Sequence, residues 1–583
     1  MTIQRRPFFC FGALSILAGS ILLYARSPEK KEDNPEVKFT AKTELVLVPA
    51  IVTDKSGNHI SGLKKEDFTV LENGAEQQIS TFEEIKSEPG GFAHPGDPNE
   101  FSNFVAGERT TSRITVIVLD LINTPFMAQA VGRQELLKYL TQSLETREDT
   151  REPTALYTLT RSGIQVVHDF TTDPQILVAA LHTVKGDSYQ MVDSSEQADA
   201  TSGAESPGGS PGGSSKSSGD SKGSGKSSVQ AEASRLQGML QESELNFRSF
   251  EQRLAITYTL DGMQQVAQAL AGFSGRKSLI WASGGFPFNV SDNSMHLAPA
   301  GRDTLTDVLP LYEHTWQLLN DAQISLYPVD LKGLQNVSMP SASVRNPGKH
   351  FAQHANTRQL DTQATFETFA SSTGGRAYFN SNDLVKGFRQ AVNDSSQYYM
   401  LGYYLDHSKT RAGWRKLTVK VKREHSEVRA RNGFFVTNAT VDPQSSRNGD
   451  ISSALESPLD YTSLALVARW GKSEPGKDPN QKHVLYQLHL SPDAGVINEA
   501  DNNHLTLEVV ALAFTPDGKR VGQPVGQIVD VHVTAAKLAA IQKQGLAFVD
   551  ALNVTPGEYT VRFVVRDDFT GRTGSVTAPL KVE

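Results

Sequence analysis

Ile114-Thr115-Val116-Ile117-Val118-Leu119 runs without a break into Asp120-Leu121-Ile122-Asn123-Thr124. Ser278-Leu279-Ile280-Trp281-Ala282 runs in the same way into Ser283-Gly284-Gly285. Short apolar runs rich in β-branched residues and closed by turn residues are the pattern of strands buried on both faces. With amphipathic segments between them, they predict a doubly wound, mostly parallel α/β sheet of the Rossmann type, with helices on both faces. The carboxyl ends of such strands share one rim, where ligands bind. Asp120, Asn123, Thr124, Ser283 and Gly284 follow the first two strands, and Asp330 ends a third, Ile324–Asp330. These residues form the candidate site.

Outward from those strands the pattern assigns an α/β domain to residues 113–397. Its helices are read at Ala128–Leu144, Asp173–Val184, Ala231–Phe273, Thr306–Asp321 (interrupted or kinked at Pro310), Thr362–Ser371 and Asp383–Asn393. A Ser/Gly/Lys/Pro-rich stretch at about 186–230 cannot bury apolar surface and reads as a disordered insertion. Upstream, alternating runs around the Glu72-Asn73-Gly74 turn give a small β module at 40–86. Downstream, 398–437 reads as a β extension and 438–457 as a Ser/Asn/Pro-rich linker. Residues 459–583 alternate with turn punctuation, the pattern of an Ig/FN3-like β-sandwich.

A chain of 583 residues exceeds one hydrophobic core, and its net charge of −8 gives no basic footprint for nucleic acid. Arg5 and Arg6 precede an apolar run from Phe8 to Tyr24. That layout predicts a signal peptide or amino-terminal membrane anchor within 1–27, with membrane attachment through 8–24 in the second case. The protein is therefore expected to be exported, to the periplasm, the cell envelope or the medium. Its single cysteine, Cys10, lies inside this run, so the rest of the chain has no disulfide, Cys-ligated zinc or thiol nucleophile.

The array Ile114–Asp120, Gly275-Arg276-Lys277-Ser278-Leu279-Ile280-Trp281, Tyr327-Pro328-Val329-Asp330 and Thr373-Gly374-Gly375 resembles a von Willebrand factor A domain. Val52-Thr53-Asp54 with Gly57, Leu63, Asp67-Phe68 and Glu72-Asn73-Gly74 resembles the leader of the acidobacterial VWFA-related family. Tyr399–Tyr403 with Arg429-Ala430-Arg431-Asn432-Gly433-Phe434 resembles its tail. The resemblance spans about 40–437 and implies a binding role through a metal-ion-dependent adhesion site. In that family the site follows the first strand as D-x-S-x-S, with a threonine and an aspartate from other loops, and holds Mg²⁺ for a partner's acidic side chain. Here Asp120 fits and Thr124 stands for the second serine. Ile122 replaces the first serine, and Ser283 stands where the aspartate would be. Asp330, on the same rim, is the remaining oxygen donor. The resemblance thus implies a degenerate site of Asp120, Thr124, Ser283 and Asp330 binding Mg²⁺ weakly, with Asn123 and Gly284 on a partner-binding rim. The residues alone admit a second reading, in which Asp120, Asn123 and Thr124 only cap the strand-to-helix turn.

Catalysis finds less support. Ser283 stands at a strand end, but Trp281 replaces the first glycine of a G-x-S-x-G elbow. His168, His182, His314 and His354 are scattered without paired spacing. The residues favour a non-enzymatic binding, adhesion or scaffold protein with a protein partner; a serine hydrolase using Ser283 is the alternative. Tyr398, Tyr399, Tyr403, Tyr404 and Trp414 read mainly as core on one strand face. If 190–228 is disordered, limited proteolysis of the folded protein cuts there first and leaves both halves associated; protection of that segment would show that it folds or is covered.

Overall fold

The computed structural model describes residues 43–86, 88–89, 99–103, 112–145, 151–186, 226–286, 288–291, 294–297, 308–333, 362–436 (without 382, 395 and 407–412) and 443–583 (without 477, 499 and 500). The export segment at 1–27 and most of the insertion lie outside these residues. Of the insertion, 226–230 already belong to a helix, Lys226–Leu270.

The three strands read as buried do pair in parallel, and Thr154–Thr160 extends the same sheet in parallel. Their order is Ile324–Asp330, Lys277–Ser283, Ser112–Asp120, Thr154–Thr160, and Gly163–Thr171 adds antiparallel at the edge. Alternation along each strand serves two cores. Val116, Val118, Leu279, Trp281 and Leu326 face the Lys226–Leu270 and Leu309–Asp321 helices. Ile117, Leu119, Ile280, Ala282 and Val329 face the Phe126–Ser143, Pro174–Thr183 and Leu384–Asn393 helices. Burial on both sides explains why these runs are continuously apolar. Pro310 falls in the first turn of its helix, where it has no N–H to withhold, so it starts the helix and does not kink it.

As a fold class for the chain, however, doubly wound parallel α/β is wrong. Among the described residues strand exceeds helix, 44% against 31%. Five of the six sheets described pair antiparallel. The buried runs gave the strongest sequence signal, but they are the minority; most strands alternate and face a core on one side only.

The expected 40–86 module and the 398–437 extension share their sheets. Thr43–Asp54 lies between Gln397–Asp406 and Ser426–Ala430, and Phe68–Glu72 pairs with Gly413–Val421. Their common core includes Val48, Val70, Tyr399, Leu401 and Phe434. Glu72, buried there, accepts from Arg415 and from the Tyr403 hydroxyl. Tyr398 and Tyr399 are likewise buried, whereas Tyr404 is exposed.

Residues 459–583 form two packed antiparallel sheets around Leu466, Tyr486, Val509, Phe563 and Val576. The 438–457 linker is corrected to a helix over its described part, Pro443–Glu456. Ile451, Ala454 and Leu455 pack it on Val510, Leu512 and Val564, the face of the second sheet away from the sandwich core. The sandwich also recruits an upstream strand, Glu100–Ser102, which pairs with Leu466–Pro475. It is tied to the α/β layers at Gly272, whose N–H donates to Thr462 Oγ1 and where a Cβ would lie 2.0 Å from the Thr462 carbonyl oxygen. No described helix is long and apolar enough to cross a membrane.

Asn103, next to the recruited strand, donates to the carbonyls of Tyr461 and Leu464 and accepts from the Leu466 N–H. Asn103→Ala would leave these buried groups without partners, at about 1–3 kcal/mol. Denaturant unfolding should show that loss. An unchanged midpoint would mean that residues 99–103 are not part of the sandwich's stability.

Candidate functional site

Asp120, Ser283 and Asp330 end three neighbouring parallel strands, with Ser283 in register with Asp330. Asp120 lies on the same strand face as Val116 and Val118 and is completely buried. Trp281 and Ser283, two apart on the adjacent strand, project to that same face. Four donors converge on the carboxylate. Oδ1 accepts the Asn123 N–H at 3.0 Å. Oδ2 accepts Asn123 Nδ2 at 2.8 Å, Ser283 Oγ at 2.9 Å and Trp281 Nε1 at 3.1 Å. Asn123 Nδ2 also donates to Thr259 Oγ1 at 2.9 Å, fastening the cluster to the long helix. Burial pushes the Asp120 carboxyl above its ordinary range, against the pull of these donors.

Thr124 closes the second half of the cluster. Its Oγ1 accepts the Gly284 N–H at 2.8 Å. Gly284 is required by space, since a Cβ there would come within 2.7 Å of Pro125 and 3.1 Å of the Asn123 carbonyl oxygen. The loops after the two central strands are thereby zipped together by Asp120–Ser283 and Thr124–Gly284. The Ser283 hydroxyl also lies 2.6 Å from the Gly285 carbonyl. One hydroxyl proton serves either that carbonyl or Asp120, so the two contacts compete.

The structure therefore brings together Asp120, Asn123, Thr124, Ser283 and Gly284. Asp330 stands apart, with its own hydrogen bond from the Lys332 N–H at 2.9 Å, and burial raises its carboxyl to about 6. Trp281 and Thr259 are members that sequence reading missed. Trp281 was readable in hindsight from its i, i+2 relation to Ser283, while nothing local marks Thr259.

The donor set does not fit Mg²⁺, which takes about six oxygens near-octahedrally. Both Asp120 oxygens already accept hydrogen bonds, Thr124 Oγ1 is engaged, and Ile122 offers no oxygen. Asn123 Oδ1 is a buried acceptor without a partner among the described residues, one lone ligand where several are needed. The cluster does not form a catalytic triad either. The partners of Ser283 Oγ are a carboxylate and the Gly285 backbone, and no described histidine hydrogen-bonds it. His354 lies outside the described residues.

No family model matches the chain, and no curated protein matches it. Among solved structures it is similar to the pilus adhesin SpaC from Lactobacillus rhamnosus GG in an open conformation. The TM-score is 0.26 and the identity 8%, over 87% of this chain and 69% of that one. A likeness that small bears on neither fold nor function.

Ser283→Asp places a second carboxylate against buried Asp120. It should destabilise the protein by on the order of 3 kcal/mol or more, as an uncompensated buried charge does, and added Mg²⁺ should recover part of that loss. In the unmodified protein, millimolar Mg²⁺ should leave Tm unchanged, because ligand stabilisation vanishes when Kd exceeds the ligand concentration. A large Mg²⁺ shift abolished by Asp120→Ala would show that the cluster opens to metal.

Proposed function

We propose that this protein is a non-enzymatic binding, adhesion or scaffold protein of the cell envelope that engages a protein partner beside the strand ends. The observation that carries the reading is the internal commitment of the polar groups there. Asp120, Thr124 and Ser283 spend their hydrogen bonds on one another's loops, leaving neither a nucleophile with a base nor an open metal position.

What the neighbouring surface offers is apolar. The Phe126–Ser143 helix starts directly after Thr124-Pro125, and Phe126, Met127 and Val131 are 44%, 75% and 48% exposed. Exposed apolar side chains grouped beside a rigid strand edge favour protein contact over small-molecule chemistry. The finer reading is that this rim descends from a metal-ion-dependent adhesion site that has lost its ion. It rests on the family resemblance of the quoted residues and on Ile122, which withholds an oxygen. Placement in the envelope rests on the basic and apolar run at the amino terminus. No observation favours the hydrolase reading with Ser283.

The test is retention of a partner by the full chain from envelope extract, with and without EDTA. Binding should survive EDTA, survive Ser283→Ala, and fall sharply with Met127→Glu, which changes an exposed residue only. Labelling of the folded protein by a serine-directed fluorophosphonate, lost in Ser283→Ala, would overturn the non-enzymatic reading. Recovery of the protein in the cytosolic fraction alone would overturn the location.

A further inference from the structure

The carboxyl-terminal sandwich carries a second polar cluster, independent of the strand-end site. His504 opens the His504–Phe514 strand and lies directly opposite His532, the last residue of Arg520–His532. Their rings stack with centroids 4.3 Å apart and planes 4° from parallel. Asp530 precedes His532 by two residues and so shares its strand face. Its Oδ1 lies 2.7 Å from His504 Nε2. On the other side of the ring, Asp501 Oδ2 lies 2.9 Å from Nδ1. Asn502 and Asn503, at φ 53° and 55°, make the left-handed turn that presents Asp501 to the strand. One ligand atom each from Asp501, His504 and His532 falls within 4.8 Å of the others.

We propose that Asp501, His504 and His532 bind one divalent transition-metal ion of the zinc class, with Asp530 as the positioning residue behind His504. The ion takes the place of the proton between His504 Nδ1 and Asp501 Oδ2. Asp530 then accepts the Nε2–H, the carboxylate–histidine–metal arrangement that fixes tautomer and ring orientation. His532 supplies the third ligand from the facing strand. Two imidazoles and one carboxylate suit Zn²⁺; Mg²⁺ and Ca²⁺ prefer oxygen-only sets.

In the ion-free state both His504 nitrogens face carboxylates. Metal binding releases the Nδ1 proton to solvent, which balances the step. Tetrahedral Zn²⁺ with bonds of about 2.0–2.1 Å sets ligand atoms roughly 3.4 Å apart. The cluster must therefore contract and the two rings must unstack, because parallel imidazole planes cannot both aim a nitrogen lone pair at one ion. His532 and Asp501 are exposed and free to turn, and His504 is half-buried. Three protein ligands leave a fourth position to water or to a donor from another molecule. The bound ion would pin the turn at 501–503 to the free end of the Arg520–His532 edge strand.

The experiment titrates Zn²⁺ into the full chain against a chromophoric chelator and follows Tm in parallel. One equivalent should bind and raise Tm, and Mg²⁺ should do neither. His504→Ala and His532→Ala should each weaken that equivalent at least tenfold while leaving the metal-free Tm close to the parent's. Asp530→Asn should weaken it by roughly 10- to 100-fold, as loss of an orienting partner does. Absence of Zn²⁺ uptake, or uptake unchanged in His532→Ala, would overturn the proposal.

Discussion

The arrangement of the strand ends depends on one buried carboxylate. Asp120 sits where a parallel sheet presents its carboxyl edges, yet it points into the layer under the Lys226–Leu270 helix and not out to solvent. An ionised carboxylate in such a place is tolerated only when enough donors surround it. Asn123 supplies two, and Trp281 and Ser283 supply one each from the adjacent strand. Removing any of them leaves the rest of the cluster short of a partner. The same geometry that stabilises the carboxylate therefore fixes the relative position of both loops.

On the proposed reading, that closure leaves recognition to shape and apolar contact. A metal-dependent adhesion site draws specificity from an ion with an open coordination position. The surface beside the hydrogen-bonded rim carries the exposed side chains of Phe126, Met127 and Val131. The carboxyl-terminal sandwich differs in kind, because its Asp/His cluster is at the surface and its ligand atoms are not sealed by packing.

The sequence made local features legible and long-range ones opaque. Ile114–Leu119 and Ser278–Ala282 announce buried strands because burial on both faces demands an uninterrupted apolar run. Asp173 and Pro174 announce a helix start because cap and first turn lie side by side in the chain. Nothing local says that Thr43–Asp54 pairs with Gln397–Asp406, or that Glu100–Ser102 joins a sheet beginning at Leu466. The helix at Pro443–Glu456 was hidden by its Ser and Asn content, which favours a linker until Ile451, Ala454 and Leu455 find an apolar sheet face. At the site, Asp120, Thr124 and Ser283 could be placed by their positions at strand ends. Their mutual closure could not, because it depends on Trp281 and on Thr259 from a helix more than a hundred residues away from Asp120.

The pairing of Thr43–Asp54 with Gln397–Asp406 also bears on how the chain is made. Ala50 meets Tyr399, 349 positions later in the sequence. At translation rates of about 5–20 residues per second, the first strand waits on the order of tens of seconds for its neighbour. During that time its apolar face, Val46, Val48, Ala50 and Val52, has only part of its core, Leu63, Phe68, Val70 and Ile79, because Tyr399, Leu401 and Phe434 are not yet made. Closing so distant a contact is entropically slow and ties completion of the amino-terminal sandwich to near-completion of synthesis. The nascent chain thus carries unpaired, aggregation-prone strand edges through most of its production, and its yield in a cell depends on what shields them until residues 406 and 430 emerge.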